Sequence, residues 1–470
     1  MAERITSRMT RSLPLILVVV LLWTPVLVTP SQAADFTRGD VTASGGDPDI
    51  SDAIAILNFL FQASFAMSCL DAADVDDSGS VDIVDPLSLL FYRFLGNVLI
   101  PGPNSCGADP TVDSVDFNGE LGCHSFPPCT TPTTCHNETD EEQRLQCLSE
   151  LFATPTDEEI QMVLDDWSSR DTASHDWQVE AASQFSGLRF EVVSHRVAGS
   201  RHYGVVRYPA RYNAQGSYPV LVENHGGNNG VGVNILGRYS GLNGSATCYQ
   251  NCFIVVPSYR GEELRGVPGQ GVLLSEGEPD TIDLDVDDVM SLISAVLENI
   301  PGADEDRIIA SGGSRGGGVT YLLAARDPRV STAIVLFGAS DHLHSSILQD
   351  AESIAANGGP ARNPVLNTSY VYGVEPYLDG ELTFQEARLA LIRRSVVYFL
   401  ERVAPLQVHH GERDSAVDVL HGQAVADGLA RLGRGSPDYE FYFYAQGTHN
   451  PASMSGFQSR VDSRLCPLLE

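Results

Sequence analysis

Lysine is absent from all 470 residues, so the 29 basic side chains are arginines, set against 61 aspartates and glutamates. The resulting formal charge of -32 at pH 7 argues against nucleic acid or anionic membrane as a partner, because both select clustered positive charge. The missing lysine also removes a Walker phosphate loop, which needs that side chain at the nucleotide phosphates. Beyond the first thirty or so residues no apolar run approaches the roughly 20 residues that cross a bilayer. What the chain has instead is 43% hydrophobic residues, enough for a large core and, by length, two or three domains.

Residues 1–34 place arginines ahead of an apolar run from Leu13 to Val28, followed by Ser31, Ala33 and Ala34. That is the layout of a cleaved secretory signal peptide. The run is short for a membrane anchor and contains Pro14 and Pro25, so the expected location is secreted or periplasmic/extracellular, with no membrane attachment after cleavage. Nine cysteines in an exported chain read as mostly disulfide, with one left over. Cys69, Cys106, Cys123, Cys129, Cys135 and Cys147 crowd the first third. The stretch CYQNC lacks the second pair of ligands that zinc requires, and predicts a small Cys248–Cys252 disulfide loop; a Cys147–Cys466 bridge tying together the ends of the last domain is a further expectation.

Two copies of one pattern, an acidic loop followed by an apolar helix, occupy residues 36–100. In the second copy Asp74, Asp76, Ser78, Asp82 and Asp85 fall at loop positions 1, 3, 5, 9 and 12, with Gly79 at 6 and the Ser80 carbonyl at 7. Hard oxygen ligands at that spacing, with glycine at the sharp turn, form an EF-hand-like cage for calcium. In the first copy Asp40 and Asp52 stand one residue too far apart, and Thr42 and Ser44 replace carboxylates, so its calcium affinity should be poorer. The pair resembles a type I dockerin module. The resemblance implies docking onto a cohesin-like scaffold protein; an intramolecular spacer is the alternative.

Residues 101–140 are rich in Pro, Thr, Asp and Cys without periodicity and read as a cross-linked linker. A helical stretch then opens a domain over 141–470. After about residue 185, FEVVSHRV and YGVVRYPA suggest an antiparallel start. YPVLVENHGG, CFIVVPSYRG, RIIASGG, VSTAIVLFG, APLQVHHG and YEFYFYAQ follow, with helical text between them. Such alternation predicts an α/β fold, a mainly parallel sheet with helices on both faces.

Gly312, Gly313, Ser314, Arg315 and Gly316 spell G-x-S-x-G between a strand and a helix, the context of a nucleophile elbow. No three glycines there meet the dinucleotide G-x-G-x-x-G register. A base and an orienting acid should follow in the order Ser, Asp, His. Asp414, just past one strand, and His449, just past the last, meet that order. Asp341 and Asp418 are rival acids, while His409, His410 and His421 read as structural. For an oxyanion hole, the Arg315 N–H is one donor, and the ENHGGNNG loop offers another through His225, Gly226 or Gly227.

With these residues in place, the stretch from about Tyr218 to His449 resembles the catalytic domain of the prolyl oligopeptidase (S9-type) branch of α/β-hydrolases. The matching text is HGG, VPSYRG, DVDDVMSLISAVLENIPGADEDRIIASGGSRGG and HHGERDSAV. The resemblance implies a Ser314, Asp414 and His449 triad. His225 stands where oligopeptidases place an oxyanion-hole tyrosine. The residues before Leu188 are too few and too helical for the family's β-propeller, so peptidase specificity does not carry over. GGSRGGG…LAARDPRV is similar to acetyl-xylan esterases, and the arginine after the serine to glucuronoyl esterases, whose following lysine is missing here. The expected function is a secreted serine hydrolase cleaving an ester or short peptide through an acyl-enzyme, with no catalytic cofactor. A carbohydrate esterase acting on polysaccharide and a non-catalytic dockerin-mediated assembly module are the alternatives. The long segment from His342 to Leu400 is expected to act as a cap.

Overall fold

The computed structural model describes residues 36–42, 48–61, 67, 69–95, 99–103, 147–239, 247–357 and 363–470. The signal-peptide reading, most of the linker with Cys106, Cys123, Cys129 and Cys135, and Ser44 lie outside these residues. Two compact units divide the chain, Met1–Thr131 and Pro132–Glu470. Among the described residues no helix is long and apolar enough to cross a membrane.

In the first unit, helices α1 (Ile50–Phe61) and α2 (Val84–Leu95) pack through Ala53, Ile56 and Leu89 onto Ala73, Val75 and Ile100. Arg38 is fully buried beneath the second acidic loop. It donates to the carbonyl oxygens of Asp74 at 2.6 Å and Asp71 at 3.3 Å and pairs with Asp77 at 2.8 Å.

The second unit opens with α3 (Asp157–Ser169), started by a Thr156 capping box with Glu159. That box satisfies two of the helix's otherwise unpaired N–H groups. Val163 and Trp167, four residues apart on one face, turn into the core. Twelve strands follow: β1 (His175–Phe185), β2 (Leu188–Val197), β3 (Ser200–Arg207), β4 (Tyr218–Asn224), β5 (Val231–Gly232) and β6 (Phe253–Ser258), then β7 (Glu263–Val267), β8 (Gly271–Leu274), β9 (Ala303–Gly313), β10 (Val330–Leu336), β11 (Leu406–Gly411) and β12 (Tyr439–Tyr444). Nine of them form one sheet in the order β1-β2-β3-β6-β4-β9-β10-β11-β12. From β6 to β12 every neighbour pairs in parallel, whereas β1, β2 and β3 join antiparallel. This large, mostly parallel sheet with helices is consistent with an α/β-hydrolase. The strand β1 was not foreseen: its residues are largely exposed, so it carries no apolar alternation. A small sheet, β5-β7-β8, stands apart.

Period-two alternation places the sheet's side chains in two cores. Val220, Val222, Val255, Ile308 and Ala310 point to one face; Leu221, Ile254, Val256 and Ile309 point to the other. The first face is covered by α4 (Asp283–Asn299), α5 (Arg315–Arg326) and α6 (Leu420–Arg431), the second by α7 (Phe457–Leu469).

Both disulfide expectations for this unit are corrected. Cys248 pairs with Cys466, 218 residues away in sequence, and Cys252 is a buried free thiol. The terminal helix α7 lies on the same apolar face as Cys248 and brings Cys466 to it. Cys252 instead packs in that core, its thiol directed at the Tyr249 carbonyl oxygen. Cys147 is disulfide-bonded, but not to Cys466.

Candidate active site

At the carboxyl end of β9 the chain reverses into α5 through Ser314, which has φ 60° and ψ -127°. A side chain in that backbone region is strained, and such outliers gather at functional sites. The reversal works because its neighbours lack side chains. An added Cβ would lie 2.3 Å from the Gly316 oxygen at Gly312, 2.0 Å from the Asn224 oxygen at Gly316 and 2.6 Å from Gly338 Cα at Gly317. The Ser314 N–H donates to the Leu336 oxygen at 3.0 Å, and the Ser314 oxygen accepts from Gly317 and Gly318.

The sheet aligns the remaining loops beside this turn. Asn224 pairs with Gly312, Gly313 with Leu336, Leu336 with His409, and Gly411 with Tyr444. Hence the loops after β4, β9, β10, β11 and β12 leave side by side at the carboxyl edge, where open α/β sheets place their ligand sites.

Asp414 stands in the loop after β11 and His449 in the loop after β12. His449 Nδ1 lies 2.8 Å from Asp414 Oδ2, while Asp414 Oδ1 accepts from the N–H groups of Ala416 and Val417 at 2.9 and 3.0 Å. Burial alone would raise the Asp414 carboxyl, but the imidazole and these two amides outweigh it and hold the group below its ordinary value. The two loops are also strapped together, since Arg413 donates its N–H to the Gly447 oxygen at 2.8 Å. The His449 ring sits 4.2 Å from that of Phe337, and an added Cβ at Gly313 would lie 3.1 Å from the same Phe337 ring. Phe337, at φ 38°, therefore spaces His449 from the elbow. Sequence reasoning missed it because nothing in LFGAS marks it. Among the described residues no hydrogen bond joins the Ser314 hydroxyl to His449; such contacts often tighten only when substrate is bound.

The other candidates have different partners. Asp341 accepts from the Leu343 N–H and from the Tyr398 hydroxyl, and Asp418 caps Leu420. His409 lies between Tyr444 and Gln407, each at 2.8 Å. His410 faces the Val417 oxygen and His421 receives the Ser340 and Asp341 N–H groups.

On the loop after β4, Gly226 presses on the elbow: an added Cβ would stand 2.8 Å from the Gly313 oxygen and 3.2 Å from Ser314 Cβ. Gly227 adopts φ 79°. The His225 imidazole is turned away, stacked at 4.2 Å on Tyr259 with Nε2 3.5 Å from Glu262 Oε2. Burial, with Arg315 nearby, pushes it down to about 3. Only the main chain of 225–227 is left to face a ligand at the elbow. The described residues of the 342–400 segment are largely helical, and their contacts are spread over several elements, the loop after β10 among them through Tyr398 and Asp341. Arg388 binds Glu159, and Tyr372 donates to the Pro279 oxygen at 3.2 Å.

In the first unit, carboxylate oxygens of Asp74, Asp76 and Asp85 all lie within 4.8 Å of one another. Asp74 accepts from the N–H groups of Ser78 and Gly79, and Asp85 from those of Val75, Asp76 and Asp82. The Ser78 hydroxyl is 3.2 Å from the Ser80 oxygen. Asp76 Oδ1 is buried with no hydrogen-bond partner among the described residues. Burial raises Asp74 and lifts Asp85 to about 6, with the neighbouring carboxylate adding to it. A divalent cation fits this donor set. In the first loop, buried Asp52 accepts from the N–H groups of Thr42 and Asp49 at 2.8 Å, and Asp40 is buried nearby in sequence.

No protein-family profile matches the chain, and no curated protein does either. Among solved structures it is similar to acetyl xylan esterase 1 from a Thermoanaerobacterium species, at 20% identity over 69% of this chain and 99% of that one, with a TM-score of 0.44. An acetyl xylan esterase from a Paenibacillus species is 18% identical over 69% of this chain and 98% of that one, with a TM-score of 0.45. Porphyromonas gingivalis dipeptidyl peptidase 4 is 13% identical over 62% of this chain and 41% of that one, with a TM-score of 0.40. The chain thus spans well under half of that peptidase.

Proposed function

We propose that the second unit is a serine hydrolase that cleaves an ester or a short peptide through an acyl-enzyme. Ser314 is the nucleophile, His449 its general base and Asp414 the orienting acid. The observation that carries this reading is the 2.8 Å contact of His449 Nδ1 with Asp414, two strands along the sheet edge from a strained serine. With Nδ1–H held by Asp414, Nε2 keeps its lone pair and accepts the Ser314 proton as the hydroxyl attacks the carbonyl carbon. The developing oxyanion is met by the Arg315 N–H and by main-chain N–H groups of 225–227. One such donor is commonly worth about 3 kcal/mol. His449 then returns the proton to the leaving group, and water repeats the cycle to release the acid. At 27% side-chain exposure the imidazole is open to substrate and water.

A fluorophosphonate probe tests the reading. The folded parent protein should be labelled at Ser314, and Ser314→Ala should lose labelling and on the order of 10⁶-fold in turnover. An unlabelled parent would favour the non-catalytic assembly reading. Rates on p-nitrophenyl acetate, acetylated xylan and short peptide anilides then separate simple ester, carbohydrate ester and peptide.

For the first unit we propose calcium held by Asp74, Asp76, Asp85 and Asp82, with Ser78 and the Ser80 carbonyl completing the set, and a weaker site at Asp40 and Asp52. The convergence of three carboxylates, one with a bare buried oxygen, supports it. Apolar side chains exposed on α2, among them Leu87, Phe91 and Phe94, are what a cohesin-like partner would cover. Adding calcium should raise the melting temperature of the first unit, and Asp74→Ala should abolish that rise while leaving hydrolysis intact; calorimetry with and without chelator reads both. Export of the protein is supported by the Cys248–Cys466 bridge.

A further inference from the structure

Arg315 follows the candidate nucleophile directly, yet its side chain does not face the reacting atoms. It is only 5% exposed and runs behind the loop after β4. Its Nε and Nη2 donate to the two Asp285 oxygens at 2.8 Å each, and Nη1 donates to Glu262. The same Nη1 reaches the Gly227 oxygen at 3.1 Å and Asn228 Oδ1 at 3.3 Å. The loop it touches needs such an anchor. Residues 226–229 are exposed, and Gly226, Gly227 and Gly230 give the segment more backbone freedom than residues with side chains would. The carboxylates, by contrast, are anchored: Asp285 lies in the first turn of α4, and Glu262, immediately before β7, accepts the Ser275 N–H at its main-chain oxygen at 2.9 Å.

We propose that the Arg315 side chain is a positioning residue for the oxyanion hole, fixing the Gly226–Gly227 loop against the elbow. The inference rests on the serine-hydrolase reading and deepens it. One residue then serves both halves of the hole. Its main-chain N–H is the elbow donor, and its guanidinium sets the distance of the opposing donors. A planar fork with five donors can hold two carboxylates and a carbonyl together, which an ammonium cannot. Displacements of about 1 Å in such a site cost on the order of 100-fold in rate.

The experiment compares Arg315→Lys with the parent on p-nitrophenyl acetate, and measures inhibition by phenylboronic acid, whose serine adduct places a tetrahedral oxygen in the hole. The expected result is a kcat lower by about 10- to 100-fold at nearly unchanged KM. Boronate inhibition should weaken by a similar factor, in protein that melts as a folded unit. A kcat within two-fold of the parent, or a rise in KM alone, overturns the proposal. If Arg315→Lys does not fold, Glu262→Gln keeps the Asp285 pairing and is judged by the same criteria. A parent protein that is neither labelled by fluorophosphonate nor active defeats the hydrolase reading itself. A labelled, active parent whose variants keep kcat defeats only the positioning role.

Discussion

Ser314 holds its backbone where a non-glycine residue is strained by about 1–3 kcal/mol, and glycine would hold it without strain at an entropic cost of about 0.5–1 kcal/mol. Ser314→Gly should therefore raise the melting temperature by about 2 °C while removing fluorophosphonate labelling entirely. A scan showing lower stability would mean that the strain is absent. This residue was legible in the sequence because its requirements are local: a tight reversal between strand and helix admits only small neighbours, and GGSRGGG writes that out. Asp414 and His449 were legible because each is a titratable residue one short loop past an apolar strand. Phe337 and Glu262 were not legible. Both act through neighbours that the fold brings from more than twenty residues away, and no spacing rule marks them.

Among the elements, the parallel strands were readable because they are buried on both faces and appear as short apolar runs such as VLVEN and FIVVPS. The edge strand β1 has one wet face and the strands of the small sheet are as short as two residues, so neither leaves a periodic trace. Helix α4 shows why local reading falls short. Its acidic first turns suit the positive end of a helix, but the partners come from scattered places: Arg170 for Asp283 at 2.8 Å, Arg315 for Asp285, and Arg326 for Asp287. The junction between β4 and α5 is the tightest contact of two elements at the site. Gly316→Ala would force a methyl group onto the Asn224 oxygen, 2.0 Å away. We expect a loss of about 1–3 kcal/mol in chemical denaturation together with slower labelling of Ser314. Unchanged denaturation midpoints would show that the two elements part easily.

For the molecule as a whole, buried imidazoles weaken the fold in acid, while Asp288, lifted by burial to about 7, works in the opposite sense. Burial lowers His195 to about 4 and His202, His225, His409 and His421 to about 3. Because an unfolded histidine titrates near 6.5, the unfolded chain takes up protons that the folded one refuses. Neutral in both states at neutral pH, each of these groups costs the fold stability as pH falls from about 6.5 towards 3, by up to about 1.4 kcal/mol per pH unit each. Melting temperatures should drop progressively between pH 7 and 4; a flat profile over that range would contradict the burial of these rings. The partner of Cys248 was not legible, since the bridge passes over Cys252, four residues on, and is made to Cys466, 218 residues away. The bridge from Cys248 to Cys466 also encloses Ser314, Asp414 and His449 within one covalent ring. A protease that nicks any exposed loop between those positions leaves both fragments attached, so clipped protein migrates as a single band until a reductant is added.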